Sequence, residues 1–183
     1  MTEADRQLMR AVADGSSDAL SRLYDRHAAV VFGLARRILM RVEDAEEVVQ
    51  DVFAQVWRDA GRYVPERATV AGWIVMLTRT RAIDRLRARN ARPDQARGTE
   101  PSLTVPLAAP GRDPEQIAAS EADGRLVRKA LESLPPDQRM LVDLAYYEGL
   151  TQSEIAERTG VPLGTVKTRV RAAMATLRSA LAS

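Results

Sequence analysis

The sequence predicts an all-α protein made of two small helical domains joined by a flexible linker. Three observations predict it. Apolar residues recur at helical spacing along most of the chain, and little of it alternates with the period of a strand. Ala, Arg, Leu and Val dominate, while Phe, Trp and Tyr together number eight of 183 residues, so helices are expected to meet through small side chains. Residues 93–114 hold Pro93, Gly98, Pro101, Pro106, Pro110, Gly111 and Pro114 with no period of either kind. That stretch reads as an extended linker and places domains at 1–92 and 115–183.

Composition narrows the function. The chain has no Cys and one His, His27, which rules out a disulfide framework and argues against a Cys/His zinc site. No metal or small-molecule cofactor is implied. No stretch approaches about 18 consecutive apolar residues, and residues 1–15 lack a signal-peptide pattern, so a soluble, cytoplasmic protein without membrane insertion is expected. There is no Gly-rich phosphate loop and no His beside a nucleophile, so an enzyme is not expected. The net charge is only +2 but is segregated. Residues 61–92 carry eight basic and two acidic side chains, and residues 125–183 carry nine and six; the stretches 1–60 and 93–124 are net acidic. Two basic zones suggest polyanion contacts at two places.

Residues 3–13 are a short helix candidate ended by Gly15. Ser17 starts a longer one, in which Leu20, Leu23, Tyr24, His27, Val31, Leu34 and Ile38 follow at helical spacing. His27 lies on that apolar stripe and reads as a core or boundary residue. Glu43 begins EDAEEVVQDVFAQVWRDA, whose Val48, Val49, Val52, Phe53, Val56 and Trp57 make one apolar face. Asp44, Glu47, Gln50 and Asp51 mark the opposing polar face, which is either solvated surface or a docking surface for a basic partner. After the break at GRYVPERATVAG a helix is expected from about Val70 to Arg89, anchored by Trp73, Leu77, Ile83 and Leu86. Its Arg79, Arg81, Arg85, Arg87 and Arg89, five within eleven positions, read as a nucleic-acid-facing surface.

The second domain is expected to open with helix 115–133, closed by Leu134-Pro135-Pro136, and to continue with a helix at about 137–148 that stops at Gly149. TQSEIAERTGVPLGTVKTRV follows. Thr151 and Glu154 form a T-x-x-E capping box. Ala156 permits a close helix crossing, Gly160 suits a left-handed turn, and Pro162 starts the next helix. Along that helix Val166, Val170, Ala173, Leu177 and Leu181 form the inner stripe, with Gly164, Lys167, Thr168 and Arg171 opposite. Residues 163–183 carry four basic groups and no acidic one. This is the pattern of a helix-turn-helix. Lys167, Thr168 and Arg171 are placed to reach base edges in a major groove, and Thr165 and Arg169 to hold phosphates.

TQSEIAERTGVPLGTVKTRV, preceded by LPPDQRMLVDLAYYEGL, resembles the C-terminal DNA-binding region of sigma-70-family RNA polymerase sigma factors. DAEEVVQDVFAQVW resembles the family's core-binding helix, and GWIVMLTRTRAIDRLR its promoter-melting helix. Two domains and a short linker is the layout of the extracytoplasmic-function (ECF) subfamily. The resemblance implies a region 2 helical bundle and a region 4 helix-turn-helix. It implies docking on the clamp coiled coil of the polymerase β′ subunit through Asp44, Glu47, Gln50 and Asp51, with contacts to the β subunit as well. Gln50 and Asp51 match the family's contact positions. It implies opening of the −10 element by Arg62, Tyr63, Arg67, Trp73, Arg79, Thr80, Arg81, Asp84 and Arg85, with a base-pocketing loop at Tyr63 to Ala71. It implies reading of the −35 element by Thr165, Lys167, Thr168, Arg169 and Arg171. The linker would run through a positively charged channel of the polymerase, and an anti-sigma factor, in many members membrane-anchored, would hold the protein inactive. Thr80 stands where the family usually has Asn, and Ala172 and Met174 where it often has basic residues. A transcription factor of the response-regulator type carries a similar EIAERTG…GTVKT segment, but would need a sensor domain that residues 1–92 do not suggest.

Overall fold

The computed structural model describes residues 3–91 and 129–182, with side chains up to residue 180. The chain divides into two compact units, Met1–Arg112 and Asp113–Ser183. Among the described residues every regular element is helical. The expected linker at 93–114, and all of the expected helix 115–133 before residue 129, lie outside the described residues.

The first unit contains α1 (Glu3–Ala13), α2 (Ser17–Leu39), α3 (Val42–Asp59) and α4 (Val70–Asn90), with a 3-10 turn at Ala60–Arg62. Local chemistry sets the ends. Ser16 caps α2 by accepting a hydrogen bond from the Ala19 N–H at 3.2 Å. Met40 ends α2 in the left-handed conformation, φ 61°, and gives its N–H to Arg36 O, so the chain turns directly into α3. α2 packs against α3 and α4, and α1 closes the bundle from the side of α2. The core is built from Leu8, Met9 and Val12 of α1, Leu23, Val31 and Leu39 of α2, Val48, Val52 and Val56 of α3, and Ile74, Leu77 and Ile83 of α4. Medium-sized aliphatic side chains fill it, as the composition predicts.

His27 sits at the boundary of this core. Its Nε2 lies 3.2 Å from Asp5 Oδ2, and Arg26 Nη1 donates to Asp5 Oδ1 at 2.7 Å. Asp5, a partner that the helix pattern does not reveal, thereby ties α1 to α2. Burial would raise the Asp5 carboxyl, but hydrogen bonds from His27 and Arg26, and their charges, outweigh burial and hold it below its usual range. A depressed carboxyl stabilises the fold fully above its unfolded pKa of about 4, and this contribution is lost as pH falls through the lower folded value. Asp5→Asn is therefore expected to cost about 1–3 kcal/mol at neutral pH. It should also flatten the acid limb of stability below about pH 4. Melting temperature measured against pH for both proteins checks this; an unchanged acid limb in the variant would refute it.

The second unit contains α5 (Pro136–Tyr146), α6 (Gln152–Thr159) and α7 (Leu163–Ala182), preceded by a helical end at 129–132. Leu141 and Leu144 of α5, Ile155 of α6 and Val166 of α7 form one cluster, with Ala156 and Val170 packed against it. Leu134, Val142 and Ala173 form a second, joined by Leu131 and Leu177. The expected inner stripe of α7 is thus present through Leu177; the side chain of Leu181 is not among those described. The capping box is complete. Thr151 Oγ1 accepts from the Glu154 N–H at 3.2 Å, and the Glu154 carboxylate accepts from the Thr151 N–H at 2.6 Å. Gly160 closes α6 at φ 69°, where a Cβ would be strained. Pro162 O then accepts from the N–H groups of Thr165 and Val166, which starts α7.

Candidate functional site

The exposed side of α3 carries Glu47, Gln50 and Asp51. Asp44, expected beside them, is turned inward. Its side chain is 14% exposed, and it accepts from Arg85 Nε at 2.9 Å and from Arg89 Nη1 at 3.4 Å. Two residues expected in the apolar stripes lie outside the core instead. Trp57 is 39% exposed, and Tyr24 is 44% exposed with its ring tilted against Phe53, centroids 4.8 Å apart. The reason is geometric: Val48, Val52 and Val56, all buried, take the centre of the stripe, and its outer edge is left at the rim. Trp57, Phe53, Ala54 and Leu20, with Ser17 and Arg58, line an open groove of roughly 400 Å³ beside the polar face.

The arginines of α4 do not form one surface. Arg81, Arg85 and Arg89 recur every four residues and so share one face. That face meets α3. Arg81 Nε donates to Gln55 Oε1 at 3.0 Å, Arg85 bridges Asp44 and Glu47, and Arg89 Nη1 donates to Leu39 O at 2.9 Å as well as to Asp44. Of the five arginines expected to face nucleic acid, Arg81, Arg85 and Arg89 thus have partners on α2 and α3. Burial alone would lower the pKa of Arg85, but hydrogen bonds and charge from Asp44 and Glu47 outweigh it and raise it, so the guanidinium stays cationic. The outward stripe of α4 is Met76, Thr80, Asp84 and Arg87. Arg79 is half-buried, and the Thr80 hydroxyl donates to Met76 O at 3.0 Å, which leaves its lone pairs outward.

The segment before α4 has a defined shape. The Tyr63 hydroxyl donates to Ala68 O at 2.8 Å, across the loop, and the Tyr63 ring lies 5.7 Å from that of Trp73. Thr69 caps α4 through the Gly72 N–H at 2.8 Å. A Cβ at residue 72 would fall 2.9 Å from Thr69 Oγ1, so glycine makes room for the cap. Arg67 is exposed, and Arg62 is exposed with an ion pair to Asp59.

On α7 the polar face is as expected. Lys167, Thr168 and Arg171 are exposed, with Val166 and Ala173 fully buried behind them. Thr168 Oγ1 donates to Gly164 O at 2.9 Å, so it offers acceptor lone pairs and a methyl group outward. Thr165 is half-buried at the helix start. Arg169 pairs with Asp137 of α5 at 3.1 Å. Arg158 of α6 pairs with Glu148.

A helix of this kind behind a capped turn occurs in several classes of DNA-binding protein, and relatives separate them. Residues 23–92 match sigma-70 region 2, and residues 124–177 match sigma-70, region 4. The chain is 34% identical over 174 residues to the ECF RNA polymerase sigma factor SigK of Mycobacterium ulcerans strain Agy99, covering 95% of this chain and 91% of that one. This chain belongs to the ECF sigma factors. It is also 36% identical over 174 residues to the ECF RNA polymerase sigma factor RpoE of Cereibacter sphaeroides, covering 93% and 91%. Rhodobacter sphaeroides SigE, solved in complex with the anti-sigma ChrR, is 32% identical over 97% of each chain, with a TM-score of 0.48. The response-regulator alternative does not account for an N-terminal match to region 2. Among the described residues of this ECF sigma factor, no helix is long and apolar enough to cross a membrane.

Proposed function

We propose that this ECF sigma factor docks on core RNA polymerase through the exposed side of α3 and opens the −10 element with the loop at 63–69 and the outward stripe of α4. It reads the −35 element with α7. The docking set is Glu47, Gln50 and Asp51, extended by the exposed rings of Trp57 and Tyr24, which suits a partner helix that is basic with an apolar edge. At the −10 element, Tyr63, Arg67, Trp73, Thr80 and Asp84 are the contacts; Arg79 adds charge, and Arg62 a phosphate contact. A stripe that opens with Met76 and Thr80 and continues with Asp84 suits unstacked bases better than a phosphate backbone. At the −35 element Lys167 and Arg171 reach base edges, Thr168 meets a thymine methyl or a base-edge donor, and Thr165 and Arg169 hold phosphates. Residues 93–114 are the linker, and an anti-sigma factor is a third partner. The protein carries no catalysis of its own and works in the cytoplasm, where polymerase and promoter are.

The observation that carries this reading is the division of α7 between an apolar side, with Val166 and Ala173 fully buried, and an exposed side with Lys167, Thr168 and Arg171, behind a turn fixed at both ends. Transcription reconstituted with core polymerase tests it. DNA bound by the holoenzyme is sequenced, and run-off assays on those fragments are expected to give transcripts from defined starts that core alone does not give. Loss of those transcripts when either hexamer upstream of the start is scrambled is the expected second result. Starts that ignore both elements would overturn the reading.

A further inference from the structure

Asp44 stands apart from the residues expected to bind the polymerase. A carboxylate on an exposed docking face should be solvated and open to a partner. Asp44 is neither. Arg85 Nε approaches Oδ1 at 2.9 Å, Arg89 Nη1 approaches Oδ2 at 3.4 Å, and Arg41 Nε lies 4.0 Å from Oδ2. Three guanidinium groups from two segments, the start of α3 and the last turns of α4, converge on one carboxylate with little access to water. Each carboxylate oxygen thus accepts one guanidinium hydrogen bond from α4. Glu47, by contrast, is 58% exposed and pairs with Arg85.

We infer that Asp44 is a positioning residue for the promoter-opening helix and not a polymerase contact. Arg81, Arg85 and Arg89 lie on one face of α4, and their partners Gln55, Asp44 and Leu39 O fix both its rotation and its register on the bundle. Rotation decides which side chains look outward. With the arginine face held inward, Met76, Thr80, Asp84 and Arg87 face the DNA; Ile74, Leu77 and Ile83 anchor the body of the helix in the core, so releasing the arginine ties would loosen its last turns and move Asp84 and Arg87 out of place. Two of the three arginines, Arg85 and Arg89, meet at Asp44, and with Arg41 nearby it offsets three like charges that would otherwise repel one another. The inference rests on the reading that α4 meets −10 DNA.

Asp44→Asn tests it. The substitution keeps the shape and one acceptor and removes the charge. Holoenzyme is assembled with full-length protein, and three quantities are measured: affinity for core, binding of a duplex carrying the −35 element of a mapped promoter, and binding of a single-stranded non-template oligonucleotide carrying its −10 element. Core and −35 binding are expected to stay within about twofold, while −10 oligonucleotide affinity falls by about tenfold or more. Asp44→Glu, which restores the charge on a longer stem, is expected to recover part of that loss. A drop in core affinity with −10 binding intact would make Asp44 a docking residue and overturn the inference. So would unchanged binding in all three assays. Parallel loss of all three in both variants, with falling helix content, would reduce Asp44 to a determinant of folding and also overturn it. Wild-type holoenzyme that does not prefer the −10 oligonucleotide to a scrambled one would instead sink the parent reading of α4.

Discussion

Asp51→Arg is expected to weaken binding to core polymerase by about 10- to 100-fold, since like charges brought together at an interface cost several kcal/mol. Asp51 is exposed, on the side of α3 away from Val48, Val52 and Val56. The bundle core is therefore untouched, and helix content and melting temperature should match the parent protein. The effect should be felt mainly in holoenzyme assembly, so saturating the reaction with the variant should restore part of the transcription. A fluorescence titration of labelled protein with core measures it. Equal affinity for both proteins would remove Asp51 from the docking surface.

Replacing Lys167 and Arg171 together by Ala is expected to abolish transcription from a promoter that depends on its −35 element. Each well-placed base contact is worth about 1–3 kcal/mol, and the two side chains lie one turn apart on the exposed face of α7. Neither substitution touches Val166 or Ala173, and Ala is the best helix former, so the fold should hold. Because the phosphate contacts are assigned to Thr165 and Arg169, which the variant keeps, the log–log salt dependence of residual holoenzyme binding should change little. Open complexes forming on that promoter at the parent rate would place −35 recognition elsewhere.

Features written in short-range chemistry were legible in the sequence. Thr151 and Glu154 lie three residues apart and form the box their spacing predicts, and Gly160 takes the left-handed conformation its lack of a Cβ allows. The inner stripe of α7 and its polar face also follow from period alone. What the sequence hid is pairing across distance. The acidic character of α3 and the basic character of α4 were both visible, yet nothing local shows that Arg85 spends its charge on Asp44, 41 residues earlier. Period four in Arg81, Arg85 and Arg89 was the available signal, because it puts them on one face of a helix that must also pack. The same limit applies to Asp5 with His27, and to Arg169 with Asp137. Tyr24 and Trp57 show a different limit. A hydrophobic stripe says which side of a helix turns inward but not how wide the contact is, and rim residues fall outside it.

The hydrogen bond from Tyr63 to Ala68 O has a consequence for the thermodynamics of strand capture. Ordering a loose loop on binding costs roughly 1–2 kcal/mol of backbone entropy per residue. Here the hydroxyl tether, the Tyr63–Trp73 ring contact and the Thr69 cap have imposed much of that order before any DNA arrives. On the proposed reading of this loop, an entering base would meet a receptor that is already shaped, so less of its contact energy would be consumed in ordering protein. More of it is left to oppose restacking, and a short single-stranded segment can be held apart by few contacts.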